Sequence, residues 1–332
     1  PDVLIIGGGI SGASIARELS KWKLDIVLVE KEADLALQAS GRNDGEVHPG
    51  IDLSKGSKKH YYIRKGNEMY EQICRELDVP FERVGQYVCF EKAYLKPLIA
   101  LYCMIRRKRD GISDTKLISG AELKRREINL AENFKFAISN PSSGCVCPYG
   151  LTIAYAENAA TNGVEFRFLS EVVEMECSDG GITVICADGF RETAKYVVNA
   201  AGVYADKINN MLSNNKMHIT ARKGDYELLD KTCGYLASHT MFQMPTKMGK
   251  GILVTPTCHG NILVGPTATD VTDKDDVATT AAELAEAFDK ALLTVPTLSR
   301  RNIITQFSGL RAHLDTDDFV VGECADVKGL YN

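Results

Sequence analysis

The stretch from Asp2 to Glu30 constrains the fold more than any other. A short apolar run, Val3-Leu4-Ile5-Ile6, leads into Gly7-Gly8-Gly9-Ile10-Ser11-Gly12. Residues 11 to 20 carry Ile15, Ala16 and Leu19 at helical spacing, and residues 24 to 30 form a second apolar run ended by charges. Strand, glycine turn, helix and strand make one βαβ unit, and parallel strands joined this way belong to α/β folds. The turn fits G-x-G-x-x-G. Gly7 allows the tight turn, Gly9 leaves room for a pyrophosphate, and Gly12 lets the helix pack close to the strand. The helix start, including Ile10 and Ser11, then offers N–H groups and partial positive charge to phosphates. Glu30 follows about 20 residues later, where a carboxylate accepts from ribose hydroxyls and disfavours a 2′-phosphate. A tight turn without a ligand is the alternative, and the complete strand–helix–strand context argues against it. The spacing alone does not separate FAD from NAD.

The 332 residues suggest two domains at roughly 150 residues each. With 45% hydrophobic and 25% charged residues, the chain has ample apolar surface to fold. Its net charge is −5 and no basic block occurs, which excludes the phosphate-neutralising surface of a nucleic-acid binder. No apolar run approaches the ~20 residues of a membrane span, although peripheral membrane contact stays open. None of the ten cysteines forms C-x-x-C, so no zinc site is expected and the thiols read as small, reduced, apolar residues. Together with a first strand that no signal peptide precedes, this points to a cytoplasmic setting.

Residues 35 to 58 lose periodicity and read as an ordered, functional loop. Helices are expected over residues 59–77, 94–109, 121–126, 151–162 and 281–293. Strands are expected over residues 86–91, 164–168, 171–177, 181–187 and 196–199, through much of 216–270, and at 319–321 and 330–331. Buried strand signals return near 197 and 320. A discontinuous nucleotide domain (residues 1–80, 145–215 and 306–332) with an inserted substrate domain (81–144 and 216–305) follows from this pattern.

The segment Leu37-Gln38-Ala39-Ser40-Gly41-Arg42-Asn43-Asp44-Gly45-Glu46-Val47-His48-Pro49-Gly50 resembles the S-x-x-N-S-G-x-x-H-x-G loop of FAD-dependent glycerol-3-phosphate dehydrogenases and L-2-hydroxyglutarate oxidases. These belong to the D-amino-acid-oxidase-like flavoproteins. Pro148-Tyr149-Gly150-Leu151 is similar to their D-P-Y-x-L, Val197-Val198-Asn199-Ala200-Ala201-Gly202 to V-x-N-A-A-G, and Phe307-Ser308-Gly309-Leu310-Arg311 to x-A-G-L-R. The resemblance implies an α/β fold: a Rossmann-type FAD domain with an inserted mixed-sheet α+β substrate domain, and FAD between them. It implies that Gly7, Gly9, Ile10, Ser11 and Gly12 hold the pyrophosphate, and that Glu30, with Lys31 beside it, holds the adenosine ribose. Ser40, Asn43 and Gly45 would line the phosphate and ribityl chain, Val173 would meet adenine through its backbone, and Ala201 and Gly202 would pass under the cofactor. Asp44 and Glu46 depart from the usual Ser and apolar residue, Cys147 from the usual Asp, and Ile128 from a Pro. The family also continues past Asn332 with a Gly-rich segment that touches the flavin.

Oxidation of an alcohol needs a proton acceptor and an anchor for the substrate's charge. Arg311, matching the family's substrate-binding arginine, is the anchor, since guanidinium forks suit carboxylates and phosphates. A surface ion pair is its alternative. His48 is the acceptor, with an intrinsic pKa suited to neutral pH; its alternative is a purely structural hydrogen bond. His239 and His259 are further candidates for the base. Lys223, Lys247 and Lys250 form a candidate basic rim, and Tyr226 is a candidate for facing the flavin. The expected reaction is oxidation of glycerol 3-phosphate to dihydroxyacetone phosphate by hydride transfer to flavin N5. A 2-hydroxyacid oxidoreductase, an amino-acid oxidase and a noncatalytic FAD-binding subunit are the alternatives. The electron acceptor stays open among quinone, oxygen and an iron–sulfur protein.

Overall fold

A computed structural model describes residues 1–112, 114–244 and 251–332. Lys247 and Lys250 lie outside the described residues. Two sheets organise the chain. The first is parallel and five-stranded, in the order Leu330–Tyr331, Tyr196–Asn199, Val3–Ile6, Ile26–Val29, Glu165–Arg167. Its central strands are buried along their whole length, as expected of near-continuous Val/Ile/Leu runs covered on both faces. The helices Ile10–Leu19 and Pro148–Thr161 cover one face, and Ala13, Ala16 and Ala159 let them approach closely. On the other face, Leu4, Ile6 and Val197 meet Met175, Ile182 and Val184 of an antiparallel three-stranded sheet built from Val172–Ser178, Gly181–Cys186 and Arg191–Ala194.

The second large sheet is mixed and has nine strands. Its spine is the strand Ile219–Leu229, paired antiparallel with Ile303–Leu314 along its length. Ile262–Gly265, Leu253–Pro256 and Thr240–Gln243 continue the sheet to Gln86–Phe90, Phe136–Asn140 and Lys116–Ser119. The amphipathic helix Ala281–Leu292 packs Phe288 and Ala291 onto Leu229, Ile262 and Val264. A small sheet of Glu46–Val47, Gly144–Val146 and Phe81–Glu82 ties the loop after residue 35 to the rest of the fold.

Two expectations need correcting. Residues 319–321 are not a strand: Phe319, Val320 and Val321 are exposed by 39–45% and border a cavity instead of pairing. The strand Ile303–Leu314 runs through the division expected at residue 306, so the x-G-L-R segment belongs to the large mixed sheet. All ten cysteines are free thiols, and six are buried as small apolar residues.

Inside the large sheet, Asp225 is fully buried beside Glu283. Burial first, and the Glu283 charge second, raise its pKa to about 6. A carboxyl whose folded pKa lies above its unfolded value favours the folded state at low pH, and this contribution is lost as pH rises through about 6. Asp225→Asn is therefore expected to stabilise the protein above that pH by on the order of 2 kcal/mol, with the gain vanishing below about pH 4. Urea midpoints at pH 5 and pH 8 check this; equal gains at both would sink it.

Candidate functional site

The first glycine turn is shaped by what surrounds it. Gly7 has φ +110°, and a Cβ there would lie 2.5 Å from the Ala200 carbonyl oxygen. A Cβ on Gly12 would fall on the Gly7 carbonyl oxygen. Gly9 caps the helix Ile10–Leu19 in an extended conformation, with Ser40 Oγ 2.9 Å from where its Cβ would stand. Ser40 Oγ accepts the Ile10 N–H at 2.9 Å. Among the described residues, the N–H groups of Ser11 and Gly12 have no acceptor within the chain. Donors at a helix start with no acidic residue in the first turn suit an anion.

These groups open onto a cavity of about 1430 Å³, larger than the ~300–1,000 Å³ of sites for drug-sized ligands. Gly7, Gly9, Ile10, Ser11, Glu30, Lys31, Ser40, Ala201 and Gly202 all line it. Ala201 and Gly202 follow the strand Tyr196–Asn199, and Gly202 has φ +58°. Glu30 is tied to the glycine turn, accepting from Gly8 N–H at 2.5 Å and from Glu32 N–H at 2.8 Å. Lys31 sits 4.4 Å over the Tyr204 ring and pairs with Asp275 at 3.2 Å. The antiparallel register skips Val173 between Val172 and Glu174, so its backbone stands at a bulge, beside the cavity-lining Val172. The shape, the phosphate-facing donors and the close backbone passes fit a dinucleotide such as FAD.

Asn43 and Gly45 do not line this cavity. Asn43 Nδ2 donates to the Ala39 and Ser40 carbonyls, and its Oδ1 accepts from Gly45 N–H at 2.8 Å. They shape the loop that carries Ser40 and His48. Cys147 caps the helix Pro148–Thr161, its thiol accepting the Gly150 N–H at 3.3 Å. Sulfur is a weak acceptor, so Cys147→Asp is expected to raise stability by about 1 kcal/mol. A urea denaturation midpoint measures it, and an unchanged or lower value would refute it.

A second cluster lies beyond the loop. His48 Nδ1 is 2.9 Å from Glu46 Oε2, and the Glu46 side chain is fully buried. Asp44 is pushed up in pKa by burial first and by the Glu46 charge second, against the charges of His48 and Arg311. Tyr226 is raised by burial first, with Asp44, Arg311 and Glu46 around it, and stacks on Phe307 at 5.1 Å. Arg311 is exposed and makes no hydrogen bond or ion pair with a described residue. It alternates along its strand with Leu310 and Ala312, which border the nucleotide cavity. The structure thus brings His48, Arg311 and Tyr226 together, and adds Asp44 and Glu46, which the sequence marked only as departures from a pattern.

Other candidates sit elsewhere. His239 is held between Glu127, at 2.5 Å, and the Tyr87 hydroxyl, at 3.1 Å, in the far part of the large sheet. Lys223 is buried and engaged by Asp276 at 3.0 Å and by the Ala278 carbonyl. His259 lies in the exposed turn before Ile262–Gly265. Among the described residues, no helix is long and apolar enough to cross a membrane.

The family described as FAD dependent oxidoreductase matches residues 2–332. A glycerol 3-phosphate dehydrogenase of Caloramator mitchellensis is 45% identical over all 332 residues, which span 68% of that protein. A mitochondrial L-2-hydroxyglutarate dehydrogenase of Nematostella vectensis is 29% identical over 80% of this chain and 62% of its own length. Among solved structures, an L-α-glycerophosphate oxidase of Mycoplasma pneumoniae with FAD bound superposes with a TM-score of 0.89 at 26% identity, covering 99% of this chain and 88% of that one.

Proposed function

Since the chain belongs to the FAD-dependent oxidoreductase family, with FAD as its cofactor and a D-amino-acid-oxidase-like fold, we propose that it oxidises glycerol 3-phosphate to dihydroxyacetone phosphate. The observation that carries this reading is the 45% identity over the whole chain to a glycerol 3-phosphate dehydrogenase. Bound FAD would supply the redox chemistry, a two-electron oxidation of the C2 alcohol. The turn from Gly7 to Gly12 and Ser40 hold the pyrophosphate. Glu30 faces the ribose, with Lys31 at its side, and the bulged backbone at Val173 meets the adenine. Ala201 and Gly202 leave room for the cofactor to pass, while Asn43 and Gly45 keep the loop in shape.

Arg311 binds the substrate's phosphate, because its guanidinium makes no hydrogen bond or ion pair with a described residue. His48 accepts the C2 hydroxyl proton as the C–H bond breaks. Tyr226 walls the same space with its ring. A 2-hydroxyacid offers the same pairing of an anion with a secondary alcohol, and the 29% identity to an L-2-hydroxyglutarate dehydrogenase keeps it as the second reading.

Anaerobic addition of glycerol 3-phosphate to the flavin-loaded, full-length protein is expected to bleach its visible flavin absorbance, while L-2-hydroxyglutarate leaves it unchanged. Bleaching by hydroxyglutarate alone would transfer the chain to the second reading. Bleaching by neither would remove the substrate and leave fold and cofactor in place.

A further inference from the structure

A one-way chain of hydrogen bonds runs from inside the large sheet to Glu46, whose carboxylate lies at ion-pair distance from His48. Thr115 Oγ1 donates to Asn140 Oδ1 at 2.7 Å, and Asn140 Nδ2 donates to Gln86 Oε1 at 2.9 Å. Gln86 Nε2 then donates to Glu46 Oε1 at 2.5 Å, which Ser143 Oγ also approaches at 3.4 Å. Thr115, Asn140 and Gln86 are buried, with exposures of 0–2%. An ionised carboxylate only accepts. Each donor in this chain is therefore fixed, and Glu46 ends it with its second oxygen 2.9 Å from His48 Nδ1. The resembled flavoproteins usually carry an apolar residue at position 46, so neither the fold nor the cofactor accounts for an acid there.

We propose that Glu46 is a positioning residue that holds the His48 proton on Nδ1 and so makes Nε2 the nitrogen that accepts the substrate's hydroxyl proton. This rests on the reading of His48 as the base in alcohol oxidation. The buried carboxylate selects one tautomer and one ring orientation, and it stabilises the imidazolium formed when Nε2 takes the proton. The proton moves from the substrate oxygen to Nε2, and the Nδ1 proton stays on the ring beside the Glu46 charge. Gln86 fixes the carboxylate from a different sheet, so the ring is placed relative to the strand pair that carries Tyr226 and Arg311.

Glu46→Gln keeps the volume and reverses the donor. With its Oε1 still accepting from Gln86, the new amide nitrogen donates to Nδ1 and moves the ring proton to Nε2. We expect kcat for glycerol 3-phosphate to fall by about 10²-fold or more, KM to change less than about threefold, and bound FAD to stay stoichiometric. The other charged groups near His48 are Asp44 on its own loop and Arg311 on the strand Ile303–Leu314, with the Tyr226 hydroxyl on Ile219–Leu229. All stay in place in the variant. Gln86→Met retains the Glu46 charge and loosens its anchor, so it should lower kcat less and leave the ring proton on Nδ1.

Imidazole ¹⁵N and ¹H NMR on the flavin-loaded, full-length protein reads the tautomer without turnover. The same tautomer in wild type and Glu46→Gln overturns the proposal. So does a loss of kcat accompanied by loss of flavin and an unmoved ring proton, which is what a structural acid would give. A wild-type protein that leaves glycerol 3-phosphate unoxidised overturns the substrate reading instead, and the NMR comparison still decides what Glu46 does.

Discussion

Arg311→Met is expected to lower kcat/KM for glycerol 3-phosphate by about 10²–10³-fold, mostly through KM, with the bound FAD retained. Removing one partner of a desolvated, charge-assisted pair costs about 2–5 kcal/mol, and each 1.4 kcal/mol is about tenfold in affinity. The strand register explains why this arginine is the one available. Arg311 stands directly across from Arg222. Arg222 is already engaged by Asp270 through a fork at 2.7 and 3.0 Å, whereas Arg311 has no such partner among the described residues. An exposed guanidinium beside the His48 loop has an anion as its natural complement. Arg311→Lys keeps the charge and loses the fork, so roughly a tenfold loss is expected. Steady-state kinetics and anaerobic titration measure both. A KM unchanged in Arg311→Met would move the anchor elsewhere and leave Arg311 as a surface residue.

The nucleotide half of this architecture was legible because its signals are local. Val3–Ile6, the glycine turn and Ile10–Leu19 are adjacent in sequence, and Gly7 and Gly12 have steric reasons that the structure repeats. The large sheet was less legible because its information is spread over long separations. Ile303–Leu314 reads as a mixed run of Thr, Gln, Gly, Arg and His, and becomes a strand only through its pairing with Ile219–Leu229. Tertiary pairing, more than local propensity, decides such a segment. The opposite error occurred at Phe319-Val320-Val321, where three adjacent apolar residues suggested a strand but border a cavity, with no partner strand among the described residues. At the site, His48 and Arg311 were named through motif resemblance. Glu46 was visible only as an anomaly, because its partner Gln86 is 40 positions away. The signal that could have found it is the i, i+2 spacing of Glu46 and His48, which places both on one side of an extended segment. Asn43 was placed on the cofactor, yet it bonds its own loop, as a short amide side chain readily does in a turn.

Gly9→Val is expected to abolish stoichiometric flavin binding, with FAD affinity reduced by at least about 10²-fold and a nearly colourless protein after purification. The reason is space. Gly9 has φ −79° and ψ −178°, a conformation that valine adopts readily, so the backbone itself does not forbid the change. A Cβ there, however, would lie 2.9 Å from Ser40 Oγ, inside ordinary contact distance. The branched side chain would also occupy the mouth of the helix start, where the N–H groups of Ser11 and Gly12 have no acceptor among the described residues. Displacing Ser40 breaks its bond to the Ile10 N–H and moves the loop that continues to Asn43, Glu46 and His48. One substitution therefore blocks the approach of the pyrophosphate and disturbs the far cluster. Gly9→Ala separates the two effects: its single methyl still presses on Ser40 but fills less of the helix mouth, so a smaller loss of affinity is expected. The check is the ratio of flavin absorbance to protein, followed by titration of the apoprotein with FAD. Circular dichroism should show the βαβ unit intact in the apo form, since the new side chain points into the cavity and not into the Ala13–Ala16 packing face. A Gly9→Val protein that purifies yellow, with one flavin per chain, would mean that the phosphates do not lie over this turn.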